Sequence, residues 1–240
     1  MRVRLLSLAG VLALFATLAC GTSAGTLAVA TPDASGDVSP VYNAADLPGL
    51  HQAVARSYTA DLSALFATRE AAATTATPAA PDYAAMGVVT LNAVVLQFDS
   101  EQHAAAAFTV VVEKLTSPAS TGGIDLGEVE VEGFTGPVRA FTASVDQGPG
   151  LSLHQAVLLT QAGPYVYQTI AVGLSSSEDS LATATAVANA MIATPAGEGA
   201  ATFKGDGTSS GGIWDKFPIA GDSVLAGMTP EFDDPIVPAS

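Results

Sequence analysis

The chain has little of what usually carries chemistry. Its 240 residues hold one cysteine, Cys20, and one tryptophan, Trp214. A lone cysteine has no intrachain disulfide partner and no thiolate cluster to join around zinc. The three histidines, His51, His103 and His154, fall in three different predicted elements. Basic residues are scarce: Lys and Arg total 8 against 23 Asp and Glu, a net charge of −15. Such a balance repels phosphate backbones and anionic headgroups, which excludes nucleic acid and direct headgroup binding as natural ligands. Aromatic residues are only 6% of the chain, so the core must come mostly from Val, Leu and Ala with a few Phe and Tyr. Also lacking are a G-x-S-x-G elbow, a Walker A loop, a G-x-G-x-x-G turn after a strand and an H-E-x-x-H helix.

What is present begins with an export signal. Met1-Arg-Val-Arg4 is basic, and Leu5 to Leu18 is an apolar stretch too short for a comfortable membrane span. It ends in Thr17-Leu18-Ala19-Cys20-Gly21, which resembles the lipobox of bacterial lipoproteins, with Thr17 where Leu is usual. The resemblance implies a signal peptide over 1–19, diacylglyceryl (palmitate-type) modification of Cys20, and lipid anchoring on the outer side of the cell membrane. Two or three acyl chains suffice for stable anchoring at ~0.8 kcal/mol per buried CH₂. The alternative is a secreted chain cut after Ala28-Val29-Ala30. Arg2 and Arg4 leave with the signal, so the chain from Cys20 carries 6 basic and 23 acidic residues, a net charge of −17.

Residues 20–45 are Gly, Ser, Thr, Ala, Pro and Asp with almost no bulky apolar group, the composition of a flexible tether. Its roughly 25 residues reach on the order of 25–30 Å. A single domain over 46–195 follows, then a linker over 196–212 and a Pro-rich apolar tail over 213–240. Leu50, Val54, Tyr58, Leu62, Leu65 and Phe66 sit at helical spacing behind Asp46-Leu-Pro48, which predicts a first helix. Ala71 to Pro81 predicts a loop. Gly87 to Phe98 is a β-branched run without internal Gly or Pro, a strand at or near the sheet centre. Ser100 caps a helix after it, with Ala104, Ala107, Phe108, Val111, Val112 and Leu115 on one face. Leu126 to Glu132 alternates valine with glutamate, an edge strand with one wet face. Its three glutamates sit ~6.5–7 Å apart along the strand and do not converge on a cation. Pro137 to Val145 predicts another strand, and Leu151–Thr160 with Tyr165–Val172 a hairpin. Ser175-Ser-Ser-Glu178 opens a last helix that ends before Pro195. The expected fold is α+β: an antiparallel or mixed sheet of about five strands with helices packed on one face.

Two stretches carry a further resemblance: Phe98-Asp-Ser-Glu-Gln-His-Ala-Ala-Ala-Ala-Phe108 and Leu158-Leu-Thr-Gln-Ala-Gly-Pro-Tyr-Val-Tyr167. The pattern is similar to uncharacterised exported bacterial α+β domains and, more loosely, to extracellular sensor-type domains of actinobacterial kinases and lipoproteins. It spans roughly Val88 to Ile192 and implies a fold, with no catalytic residues to carry across and without the disulfide cysteines of the kinase-linked domains. The expected function is a non-catalytic, membrane-anchored extracytoplasmic domain of accessory or sensor type, which uses no cofactor or metal and binds an envelope protein or small ligand. The alternative is an extracytoplasmic hydrolase assembled around His103 or His154 with a distant carboxylate. Asp99, Glu101 and His103 lie close in sequence, but a capped first turn accounts for them. Trp214 and Phe217 are the candidate partner-binding anchors, because interface energy concentrates on such residues. The tail that carries them either folds back over the domain or waits for a partner. Mass analysis of the native protein is expected to find Cys20 as the mature N-terminus bearing lipid; a lipid-free chain starting at Thr31 would refute the anchor.

Overall fold

The computed structural model describes residues 46–60, 87–117, 124–148, 151–203, 209–218, 223–225 and 227–237. The signal segment, Cys20, the tether, Leu62, Leu65, Phe66 and the Ala71–Pro81 loop lie outside them. Among the described residues the chain builds one antiparallel sheet of seven strands and two α-helices. In chain order these are β1 (Leu50–Ala60), β2 (Val88–Phe98), α1 (Glu101–Thr116), β3 (Gly127–Val129) and β4 (Val138–Gly148). Then come β5 (Leu151–Ala162), β6 (Tyr165–Gly173), α2 (Ser177–Ala193), the two-residue strands β7 (Thr202–Phe203) and β8 (Ser209–Ser210), and β9 (Met228–Val237). Short 3₁₀ turns occupy Gly212–Lys216 and Ser223–Leu225. The strand order is β3-β4-β5-β6-β2-β1-β9, and β7 pairs with β8 apart from it.

This is more β than the expected α+β domain, and it differs at three points. The first predicted helix is a strand. Val54 and Tyr58 fit one helix face, but being even-numbered they share a strand face equally well, while Leu50, beyond a register shift, packs with the opposite cluster. The odd-numbered Ala53 and Ala55 are buried too, so β1 is a strand covered on both sides. Second, the sheet has seven strands where about five were expected, because β1 and β9 both join it.

Third, the helices do not share a face. Ala104, Ala107 and Val111 of α1 cluster with Val94, Leu96 and Phe98 of β2 and with Val157, Leu159, Val166 and Ile170. Ala184, Val187, Ala188 and Met191 of α2 cluster with the alternate residues Leu91, Ala93 and Val95, and with Ala156, Leu158, Tyr167 and Ala171. Neighbouring residues of a strand point to opposite faces, so α1 and α2 lie on opposite sides of the sheet.

The helix starts are read closely by the sequence. Ser100 accepts the His103 backbone N–H at 3.2 Å, with Glu101 in the first turn. The second cap is Ser176, one residue later than expected; it accepts the Asp179 N–H at 3.0 Å and donates to the Asp179 carboxylate at 2.9 Å. β3 sits at one sheet edge, where Glu128 pairs with Arg139 of β4 at 2.6 Å.

At the other edge β9 runs antiparallel to β1, from Met228 opposite Ala60 to Val237 opposite Ala53. Pro230 and Pro235 lie within it, and a strand holding proline is confined to an edge. Of β9 beyond Pro230 only the backbone is described. The segment before it closes the α2 face, with Ile213, Trp214, Phe217 and Leu225 in that core together with Met228 at the start of β9.

Trp214 and its neighbours therefore act as core side chains. Trp214→Ala is expected to cost roughly 3–5 kcal/mol, the usual price of emptying a buried aromatic site. A chain ending at Lys204, which loses this cover and β9 together, is expected to lose its cooperative thermal transition. Unchanged melting of that chain would refute the assignment.

Candidate functional site

Three groupings of polar and aromatic side chains stand out. The largest surrounds the candidate anchors. Trp214 and Phe217 are 2% and 3% exposed, with ring centroids 6.1 Å apart. The 3₁₀ turn Gly212–Lys216 places them: one tight turn brings Trp214 and Phe217 onto the sheet, closed by the Phe217 N–H to the Trp214 carbonyl at 3.3 Å. Both therefore face inward.

Two cations are buried beside them. Arg56 of β1 is 5% exposed, donates to the Ser209 carbonyl at 2.6 Å, and lies 5.1 Å from the centre of the Phe217 ring. Lys216 is 4% exposed, donates to the Thr194 carbonyl at 2.9 Å, and stands 4.5 Å and 5.5 Å from the Tyr165 and Tyr167 ring centres. Carbonyl oxygens and ring faces thus take over from water around each cation. The Tyr58 hydroxyl donates to the Pro218 carbonyl at 2.8 Å, which ties β1 to the same segment. Neither Arg56 nor Lys216 is singled out in the sequence reading above. The available signal is that Lys216 sits between Trp214 and Phe217 in a chain with few cations.

The second grouping is at the start of α1. His103 Nδ1 meets Asp99 Oδ1 at 2.5 Å, with both side chains about half exposed. Hydrogen bonding from His103, then from Ser100, holds the Asp99 carboxyl below its ordinary value. Gly49 lies directly against the pair: a Cβ there would collide with the His103 ring and the Asp99 carboxylate, and the Asp99 N–H donates to the Gly49 carbonyl at 2.9 Å. The pair therefore pins the entry of β1 to the start of α1.

The third gathers His154 of β5, Ser144 of β4 and Ser177 of α2. His154 Nδ1 is 2.9 Å from the Ser144 hydroxyl and 3.4 Å from that of Ser177, and the hydroxyls are 3.0 Å apart. Ser180 donates to the His154 carbonyl at 2.9 Å. The nearby carboxylate, Asp146, is taken by the Ser152 hydroxyl at 2.5 Å. A nucleophile dyad needs its imidazole oriented by a third group. Here the histidine joins two strands to a helix start through hydroxyls. His51 lies exposed on β1. Among the described residues no group of His, Cys, Asp and Glu has metal-binding geometry, and no helix is long and apolar enough to cross a membrane.

The aromatic grouping has an alkaline signature. Burial, reinforced by Tyr165, pushes the Tyr167 hydroxyl well above the ordinary tyrosine value. A raised folded value means that the native state holds this proton more tightly than the unfolded chain. The stabilisation is complete below about pH 10, the ordinary value, and drains away as pH climbs toward the folded value. Burial pushes the Lys216 ammonium down, which acts in the opposite sense. Urea denaturation from pH 8 to 11 is expected to show native stability falling above pH 10, with a shallower fall in Tyr167→Phe. Equal slopes would refute the assignment to Tyr167.

No family model matches the chain, and no curated protein matches it in sequence. Among solved structures the chain is similar to the extracellular domain of PknH from Mycobacterium tuberculosis, with a TM-score of 0.29 and 17% sequence identity. That likeness covers 40% of this chain and 52% of the other, so the chain spans about half the length of that domain.

Proposed function

We propose that the chain is a non-catalytic, extracytoplasmic domain, held on the outer side of the membrane by lipid on Cys20, that binds a protein partner. The observation that supports this reading is the succession, in the sequence, of a basic then apolar stretch ending at Ala19-Cys20 and a bulk-poor stretch of tether composition to residue 45, ahead of a sheet domain. A tether has use only if the domain must stand off the surface and meet something there. The described side chains agree with a binding role: His103 is spent on a helix start, His154 on a strand-to-helix junction, and Lys216 on holding the C-terminal segment. The high acidity suits a partner with an opposite or neutral face and disfavours anionic surfaces.

The hydrolase alternative would need Ser144 or Ser177 to act with His154. Ser144→Ala and His154→Ala are expected to leave hydrolysis of ester, amide and glycoside substrates at the buffer rate, as for the unaltered chain. Each substitution should lower stability by about 1 kcal/mol, a typical value for one lost hydrogen bond. In the native envelope, chemical cross-linking of the anchored chain should yield a defined partner band that persists in both variants. Measurable hydrolysis that vanishes in both variants, or no partner band at any cross-linker length, would overturn the reading.

A further inference from the structure

The β1–β9 junction differs from the other side of the same strand. Against β2, β1 shifts register once, at its start between Leu50 and Gln52, and then runs unbroken from Gln52 opposite Gln97 to Thr59 opposite Thr90. Against β9 its register shifts twice, between Ala53 and Val54 and between Ser57 and Tyr58. β9 also contains Pro230 and Pro235, which have no N–H to give to any ladder. Yet β1 needs a neighbour on that side, because Ala53 to Tyr58 are all buried and a bare edge there is a template for another strand.

The chain before β9 is held differently. Trp214, Phe217 and Leu225 are buried, with Lys216 bonded to Thr194 and Pro218 to Tyr58. Between this fixed part and β9 stands Gly227, at φ +78 with nothing within 4 Å of where a Cβ would lie. A tightly held anchor, a sharp turn and an unevenly paired terminal strand are the parts of a strand-exchange device.

We propose that β9 is exchangeable: it swings out about Gly227 and docks, in the same register, on the β1 edge of a second copy of this chain. This rests on the reading above that the domain binds a protein, and it names that protein. The occupant follows from the structure, since the sequence already seated on β1 is the one a second copy would offer. The net charge of −17 on the chain from Cys20 opposes the approach, but physiological salt screens exposed charges beyond about 8 Å. Anchoring to one membrane would raise the effective concentration of copies.

The test uses the full-length chain with Cys20→Ser, purified and compared by light scattering at matched concentration. Gly227→Val places a β-branched residue where φ is positive, so the extended hinge gains and the dimer fraction should rise roughly ten-fold. Gly227→Asn tolerates the turn and should behave as the unsubstituted chain. Chains carrying only Thr59→Cys are then mixed with chains carrying only Thr229→Cys, each in the Gly227→Val background and refolded together. These positions are opposite one another in the register, so an exchanged strand yields a heterodisulfide on oxidation. Should Gly227→Val not fold, the same two cysteine chains with Gly227 intact, refolded together at high concentration, must give that disulfide. A monomeric Gly227→Val chain, or a dimer that fails to form the heterodisulfide, overturns the proposal. A cross-linked partner of different mass in the envelope, together with those failures, would leave the binding reading standing and remove only its identification with a second copy.

Discussion

A sheet with apolar side chains on both faces must be covered twice, and the arrangement of this domain follows from that requirement. Along β2, Leu91, Ala93 and Val95 face one way and Val94, Leu96 and Phe98 the other, all buried. On one face α1 provides Ala104, Ala107 and Val111. On the other, α2 covers β5 and β6, and the chain after it returns to place Trp214, Phe217, Leu225 and Met228 in the same core as Tyr58 and Leu91. Full burial of such side chains is worth roughly 1.5–3 kcal/mol each, which is why a segment of irregular backbone is retained there. Two cations are buried there, Lys216 of this segment and Arg56 of β1. Each would be costly alone, and each is met by a carbonyl oxygen and an aromatic face.

Much of the interior of the fold is legible in the sequence because its signals are local. The hairpin of β5 and β6 follows from two long β-rich runs around Ala162-Gly-Pro-Tyr165, and both helix starts follow from serine caps. β1 is not legible by period, because a spacing of four satisfies helix and strand alike when intervening residues are also apolar. The decisive feature is that Ala53-Val54-Ala55 runs on without a polar face, and only a sheet flanked on both sides and covered on both faces can bury it. Which side each helix takes depends on the parity of contacts between elements far apart in sequence, and no local pattern records that.

The polar groupings divide in the same way. That Asp99 and His103 lie near one another is suggested by their closeness in sequence across the Ser100 cap, with Asp99 just outside the helix and His103 in its first turn. The meeting of Ser144, His154 and Ser177 needs the register that sets Ser144 opposite His154 and the α2 start beyond them. Nothing in the sequence marks the serines out. Trp214 and Phe217 look equally suited to a partner's surface and to the chain's own sheet. The choice is made by Lys216 and Tyr58, whose hydrogen bonds to Thr194 and Pro218 fasten the turn between them.

The last strand imposes an order on the whole. β9 lies beside β1, nearly the full length of the domain away in sequence, so their pairing carries the largest loop-closure entropy of the sheet, although that cost grows only as ~(3/2)RT ln n. Contacts of such separation form late. As the chain is made from its N-terminus, β1 emerges ahead of the segment that covers it, so the β1 edge and the Tyr58 face stay bare until the later residues arrive. A hairpin such as β5–β6, complete within about twenty-odd residues of contiguous chain, can form before then on the microsecond scale. The sheet therefore has an early half, β4 to β6 with α2, and a late edge, β1 with β9. The β1–β9 pairing also carries two register shifts and two prolines, so the pairing that closes last is less regular than that of β5 with β6.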